Sequence, residues 1–225
     1  RINAILQWPE LQFLRDSKVI SDLQIKIGKM KCKPSSTKNS TYGKGLSQCS
    51  EDSASNAWLR FPPPFWSGYE FNAAHQLRTA SLPTQDLPYN PPHLRKCRAG
   101  CDRNESVCHV LQACPITHYP RVRRHNDIIK IIDATAKKQG YSTSVEPHIR
   151  LASSELCIPD LIMRKGGTAI IVDAYVPWDS DALDLAAMHK KGKYGRPEVL
   201  QAVKSTYGVS EVRVSPIIIF ARGTW

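Results

Sequence analysis

Acidic side chains are scarce in this chain, and long apolar runs are missing. Only 20 Asp and Glu stand against 31 Lys and Arg in 225 residues, a formal charge of +11. That deficit favours polyanion partners, meaning nucleic acid or an anionic membrane surface. No apolar run approaches the ~18 residues a membrane-spanning helix needs, and no secretory signal is visible. Seven cysteines cannot all pair internally. Four of them crowd into Cys97–Cys114, which reads as metal binding in a reducing compartment and not as a disulfide scaffold. The apolar fraction, 41%, is a little low, yet the length allows one or two domains with a real core. No internal repeat occurs. The chain opens on Arg1 and not on Met, and so reads as a fragment.

The positive charge is uneven. Ten Lys/Arg and four Asp/Glu fall between Arg95 and Lys138, a net +6 in 44 residues. Residues 1–27 read as a helical segment with Ile5, Leu6, Leu11, Phe13, Leu14, Val19, Ile20 and Leu23 as apolar contacts. Residues 28–57 are rich in Ser, Lys and Gly and read as a flexible linker; Cys32 and Cys49 there lack metal-ligand spacing. Residues 58–94 form a helical linker region. Ser67-x-x-Glu70 predicts a capping box before a helix over 68–81, followed by the Pro-rich "LPTQDLPYNPPH". The cysteine cluster occupies 95–119.

From Arg121 the order becomes regular. "RVRRHNDIIKIIDATAKKQG" predicts a helix closed by Gly140, with Val122, His125, Ile129, Ile132 and Ala136 inward. "YSTSVEPHI" predicts a strand with Tyr141, Thr143 and Val145 alternating. "CIPDLIMRKGGTAIIVDAYVPW" predicts two strands about a Lys-Gly-Gly turn. "SDALDLAAMHKKGKYG" reads as helix, with Arg196-Pro197 opening another, and "EVRVSPIIIFA" as a last strand. The order α-β-β-β-α-β over 120–225 is an α/β layer structure.

Cys97-x3-Cys101-x7-His109-x4-Cys114 offers thiolates and an imidazole in the set structural zinc favours. So small a segment cannot pack a core, and the metal would supply its folding energy. Cys108 beside His109, and His118 four residues past Cys114, keep the choice of four ligands open.

Two acids interrupt the apolar strands. Strand interiors disfavour Asp, and a lone buried carboxylate is costly unless it pairs or binds metal. Asp160 and Asp173, with twelve residues between them about a tight turn, can meet on adjacent antiparallel strands. A hard cation relieves their repulsion; Mg²⁺ takes one or two carboxylates, waters and a phosphate, and such a metal can activate water against a phosphodiester. The Lys expected two residues after the second acid is replaced by Tyr175. Leu183, Ala187, Lys190 and Tyr194 share a helical face, which would aim Lys190 inward and leave Lys191 and Lys193 solvated. Lys190 could equally belong to a basic surface run. Glu146 is either an added oxygen ligand or an exposed strand-end acid.

Taken together, "CRAGC" through "HVLQAC", "THYPRVRRHNDII" and "VEPHI…IPDLI…VDAYV…HKKGKYGRPEV" resemble the C-terminal region of site-specific non-LTR retrotransposon proteins that insert into ribosomal RNA genes. The resemblance covers roughly residues 58–220. It implies a restriction-endonuclease-like core of PD-(D/E)xK type behind a zinc knuckle, acting in the nucleus. Such a core nicks target double-stranded DNA, and the freed 3′ end primes reverse transcription of the element's RNA. By position, Asp160 and Asp173 would hold Mg²⁺, Lys190 would act on the attacking water, and Tyr194 would assist. Arg121, Arg124, His125 and Asn126, with Arg98, Lys191 and Lys193, would face DNA; a purely structural role is the equal alternative for His125 and Asn126. Cys97, Cys101, His109 and Cys114 would hold zinc. No Tyr-x-Asp-Asp turn occurs, so the polymerase is expected upstream. The core's first helix shows no catalytic Glu, which leaves Glu146 as a substitute. The competing reading is a non-catalytic zinc-knuckle module that binds nucleic acid.

Overall fold

Ser67 and Glu70 cap the first well-formed helix as their spacing predicts. The Glu70 N–H donates to Ser67 Oγ at 3.2 Å and the Ser67 N–H donates to Glu70 Oε2 at 2.7 Å. In the computed structural model, which describes residues 56–87, 89–178 and 183–223, a short α1 (Ala57–Arg60) precedes this α2 (Gly68–Arg78). Helix α2 stops three residues short of the expected end, because Ala80 turns to φ 54 and the Thr79 hydroxyl donates to the His75 carbonyl at 2.9 Å. The predicted segment 1–27, most of the predicted linker 28–57, and Cys32 and Cys49 lie outside the described residues.

The long helix α3 (His118–Lys138) begins before the expected Arg121, directly after a tight turn at Pro115–Thr117. Gly140 closes it at φ +81. Ile129 and Ala136 are buried on its inner face. Val122 is not: it is 41% exposed, on the first turns of α3, next to the tight turn at Pro115–Thr117.

Strands β1 (Ser142–Val145), β4 (Leu161–Lys165), β5 (Thr168–Tyr175) and β6 (Glu211–Ile218) form one mixed sheet in the order β1-β4-β5-β6. The β4–β5 turn falls at Gly166 and Gly167, both left-handed at φ 58 and 80, the geometry that a tight two-residue hairpin needs. Helices α4 (Leu183–Tyr194) and α5 (Pro197–Tyr207) connect β5 to β6, which runs parallel to β5. The predicted backbone order is present, with one addition. A ribbon of two-residue strands, β2 (Ile149–Arg150) and β3 (Leu156–Cys157), stands between β1 and β4. Strand β1 also departs from expectation, since Val145 is 52% exposed. It ends an edge strand that pairs only with β4, so no second neighbour covers it.

Both faces of β5 are covered. Leu161, Val172 and Ala174 pack on Ile129 of α3. Ile162, Ala169 and Ile171 pack with Val199 and Val203 of α5, Tyr194 of α4, and Ile149, Leu151 and Cys157 of the ribbon. This two-sided cover explains why β5 reads as a near-continuous apolar run. Each fully buried aliphatic side chain contributes about 2 kcal/mol. At the other edge, the Ile219 N–H bonds back to the Tyr175 carbonyl at 3.0 Å. Alternation by two then turns the Pro216 nitrogen off the sheet, where a missing N–H discourages strand addition. Among the described residues, no helix is long and apolar enough to cross a membrane.

Candidate active site and metal centre

The cysteine segment folds onto the core through Val107, which packs with Trp178 and Ala221. Gln112 reinforces the seam: its Nε2 donates to the Val176 carbonyl at 3.1 Å, and its Oε1 lies 3.5 Å from Arg124. Within the segment, ligand atoms of Cys97, Cys101, His109 and Cys114 lie within 4.8 Å of one another. Cys114 Sγ stands 3.9 Å from Cys97 Sγ and 3.6 Å from Cys101 Sγ. Two thiolates of a tetrahedral zinc at ~2.3 Å would be about 3.8 Å apart. Among the described residues, both ring nitrogens of buried His109 lack a partner, an expense that a metal bond removes. The four residues thus fit a metal such as zinc. Cys108 packs instead against the Val107 cluster, and His118 is an exposed first residue of α3.

Glu105 was not singled out from sequence, yet it organises this segment. Its carboxylate is 4% exposed and accepts from the Arg98 N–H (2.8 Å), the Arg98 guanidinium (2.6 Å) and the Gln85 N–H (3.3 Å). The Arg98 contacts, above all, hold its pKa below the ordinary carboxylate value. Arg98, expected to face DNA, therefore spends its guanidinium on Glu105 and on the Pro83 carbonyl (3.2 Å). Glu105→Ala is expected to lower unfolding free energy by about 2 kcal/mol, because several donors lose one buried acceptor; a urea unfolding curve superposing on the wild type would contradict this role.

The two acids end up as neighbours across the sheet. Leu161 pairs with Val172, which brings Asp160 and Asp173 to the same level of β4 and β5. Asp160 Oδ2 accepts the Ala174 N–H at 2.7 Å. Asp173 is buried, 3% exposed, and forms an ion pair with Lys190. The Lys190 ammonium also lies 5.3 Å from the centre of the Tyr175 ring. The residue standing where a nearer Lys was expected therefore supports the Lys that comes from α4.

Tyr194 is 1% exposed, and its hydroxyl donates to the Ile158 carbonyl at 3.3 Å. Burial, then the hydrogen bond to Asp173 and its charge, push the phenol well above its ordinary pKa, so it stays protonated and acts as a donor. Lys191 and Lys193 are both exposed, as expected, and Lys193 also donates to the Tyr194 oxygen at 2.9 Å. Glu146 turns to φ 46, its N–H donates to the Asp160 carbonyl at 2.9 Å, and it shares a cleft of about 180 Å³ with Asp160 and His125. Asn126 lines the same cleft. Burial, and then the charge of Arg121, lower the Arg124 pKa. Among the described residues, Arg121 Nη1 and Arg124 Nε are buried without partners.

Fold and site together describe a basic mixed α/β protein that joins a Cys₃His cluster to an Asp-Asp-Lys cluster. No family model matches the chain. It is 41% identical over 186 residues, 82% of its length, to the retrovirus-related Pol polyprotein of the type-1 retrotransposable element R2 of Popillia japonica. It is 30% identical over 192 residues to the R2 polyprotein of Nasonia vitripennis, and 28% over 189 residues to that of the type-2 element R2DM of Drosophila melanogaster. The chain is a region of an R2-type non-LTR retrotransposon protein. It spans 42% of the Popillia sequence and 18% of the Drosophila one.

Proposed function

We propose that this region is a metal-dependent DNA endonuclease with a restriction-endonuclease-like core, and that it nicks one strand of target DNA. The observation that carries the reading is Asp173 paired with Lys190 while Asp160 is held one residue away, on the Ala174 N–H. Such an arrangement is expensive to bury for structure alone. Two carboxylates are a donor set that suits Mg²⁺, which completes its shell with water and phosphate. When bound, that cation would supply charge stabilisation and a more acidic water. The chain's own residues do the rest. Asp160 and Asp173 hold the cation, Lys190 orients the attacking water and offsets phosphate charge, and the Tyr194 O–H supports the same strand end.

Arg121 and Arg124 are the arginines we assign to backbone phosphates, in keeping with the net +6 of residues 95–138. The +11 charge predicts affinity that falls steeply with salt. A zinc-loaded knuckle would fix the seam between these arginines and the core. The target is read as the ribosomal RNA gene in the nucleus. The exposed 3′ end would serve a reverse transcriptase domain elsewhere in the polyprotein, acting on the element's RNA.

The test uses supercoiled plasmid carrying a ribosomal gene segment, incubated with the chain in Mg²⁺ or in EDTA. Conversion to open circles in Mg²⁺ alone is the expected result. Salt-sensitive binding with no nicking under either condition would favour the non-catalytic nucleic-acid-binding module.

A further inference from the structure

The first helix of the core brings Asp133 to the cleft that holds Asp160, and it touches Asp160 itself through a histidine. His125, on the second turn of α3, places Nε2 3.1 Å from Asp160 Oδ2, across 35 residues of sequence. Its Nδ1 lies 3.3 Å from the Asn126 carboxamide. The side chains are partly enclosed, His125 32% and Asp160 19% exposed. The same Oδ2 accepts the Ala174 N–H at 2.7 Å. One oxygen of Asp160 is therefore fixed from two directions, by a helix and by a strand.

We infer that His125 is a positioning residue of the catalytic centre: its Nε2–H, together with the Ala174 N–H, locks the Asp160 carboxylate so that Oδ1 is presented to the metal. The inference rests on the endonuclease reading. Hydrogen bonds of this kind fix the rotamer of a ligating carboxylate, and losing one typically lowers metal affinity 10- to 100-fold. Donation to Asp160 Oδ2 needs a proton on Nε2, and Nδ1 faces the Asn126 Oδ1 at 3.3 Å. A direct His125–metal bond is the rival arrangement, since cis ligands about 2.1 Å from one cation lie roughly 3.0 Å apart. The Ala174 N–H already spent on Oδ2 favours the hydrogen-bonded form, because it draws that oxygen toward donors and leaves Oδ1 free.

The probe is Mn²⁺, titrated into the zinc-loaded chain and followed by the electron spin resonance signal of the free ion, with DNA affinity measured separately in metal-free buffer. His125→Ala is expected to weaken Mn²⁺ binding about tenfold or more. His125→Gln, whose amide reaches the Nε2 position, should restore most of it. Neither variant should change DNA affinity, which a DNA-facing histidine would. Wild-type Mn²⁺ affinity in His125→Ala overturns the inference, as does a loss of DNA affinity with Mn²⁺ binding intact. A nitrogen coupling in the bound Mn²⁺ spectrum that disappears in His125→Gln would make His125 a ligand and overturn it as well. If Asp160→Ala binds Mn²⁺ like the wild type, the metal reading itself fails and takes the inference with it.

Discussion

Asp173→Ala is expected to abolish Mg²⁺-dependent nicking and to weaken the fold, whereas Asp173→Asn/Lys190→Met should abolish nicking and spare the fold. The separation follows from the environment of the pair. The Asp173 side chain is 4% exposed and that of Lys190 19%. Removing the acid alone strands an ammonium against Tyr175, and breaking such a pair from one side costs on the order of 3 kcal/mol. The double variant removes both charges and leaves groups of similar volume, so most of that cost disappears. Activity is not expected to return, because on the proposed reading the carboxylate would hold the cation and the ammonium would act on the water and the phosphate. A fall of about 10³-fold or more is expected in both variants, matching the several kcal/mol of charge stabilisation a catalytic cation supplies. Thermal melts and plasmid nicking measured side by side check both halves. Residual nicking by the double variant above about one tenth of wild type would place the chemistry elsewhere.

The pair was legible in sequence because it depends on two short periods. A Gly-Gly turn sets the register of β4 on β5, so spacing alone brings Asp160 and Asp173 level. The 3.6-residue helical period puts Lys190 on the face shared with Tyr194, and α4 delivers it inward. The Cys and His spacing worked for the same reason, since each ligand sits on a turn that local sequence specifies. What was missed depends on distance along the chain. The helical period turns His125 inward beside Ile129, but its contact with Asp160 needs α3 docked on β4, and no local pattern names a partner 35 residues away. The β2–β3 ribbon has two residues per strand, too few to show a period; its stability comes from Ile149, Leu151 and Cys157 in the core and from the Arg196–Glu155 pair at 2.7 Å. The outward turn of Val145 was hidden because alternation predicts two faces and not whether a neighbour covers one of them. Glu105 looked like one more surface acid. Its burial follows from the path of the metal-binding loop, which brings the Gln85 and Arg98 N–H groups around it.

Removing the metal from the cysteine segment should unfold that segment and leave the sheet intact. The two regions are stabilised by different means. The sheet has covered faces with at least a dozen buried aliphatic and aromatic side chains, whereas the segment contributes little apolar burial of its own beyond Val107. Without a cation it retains three thiols within contact of each other and an imidazole with no partner for either nitrogen among the described residues. Partial burial and the hydrogen bonds to Cys114 and Cys97 then push the Cys101 thiol up to about 11; a bound divalent metal reverses this by taking the thiolate form. Since no preformed site survives unfolding, the binding energy, on the order of 10 kcal/mol for structural zinc at neutral pH, is the segment's folding energy. Chelation or His109→Ala should therefore abolish hydrogen-exchange protection across residues 97–117. The loss should extend to Val176 and Trp178, which Gln112 and Val107 hold, while protection in β4 and β5 survives. DNA affinity should fall along with it, because Arg124 loses Gln112 and the charges of Arg121 and Arg124 lose their fixed position. Unchanged protection over 97–117 in metal-free protein would show that the segment folds without a metal, and that the convergence of Cys97, Cys101, His109 and Cys114 serves something else.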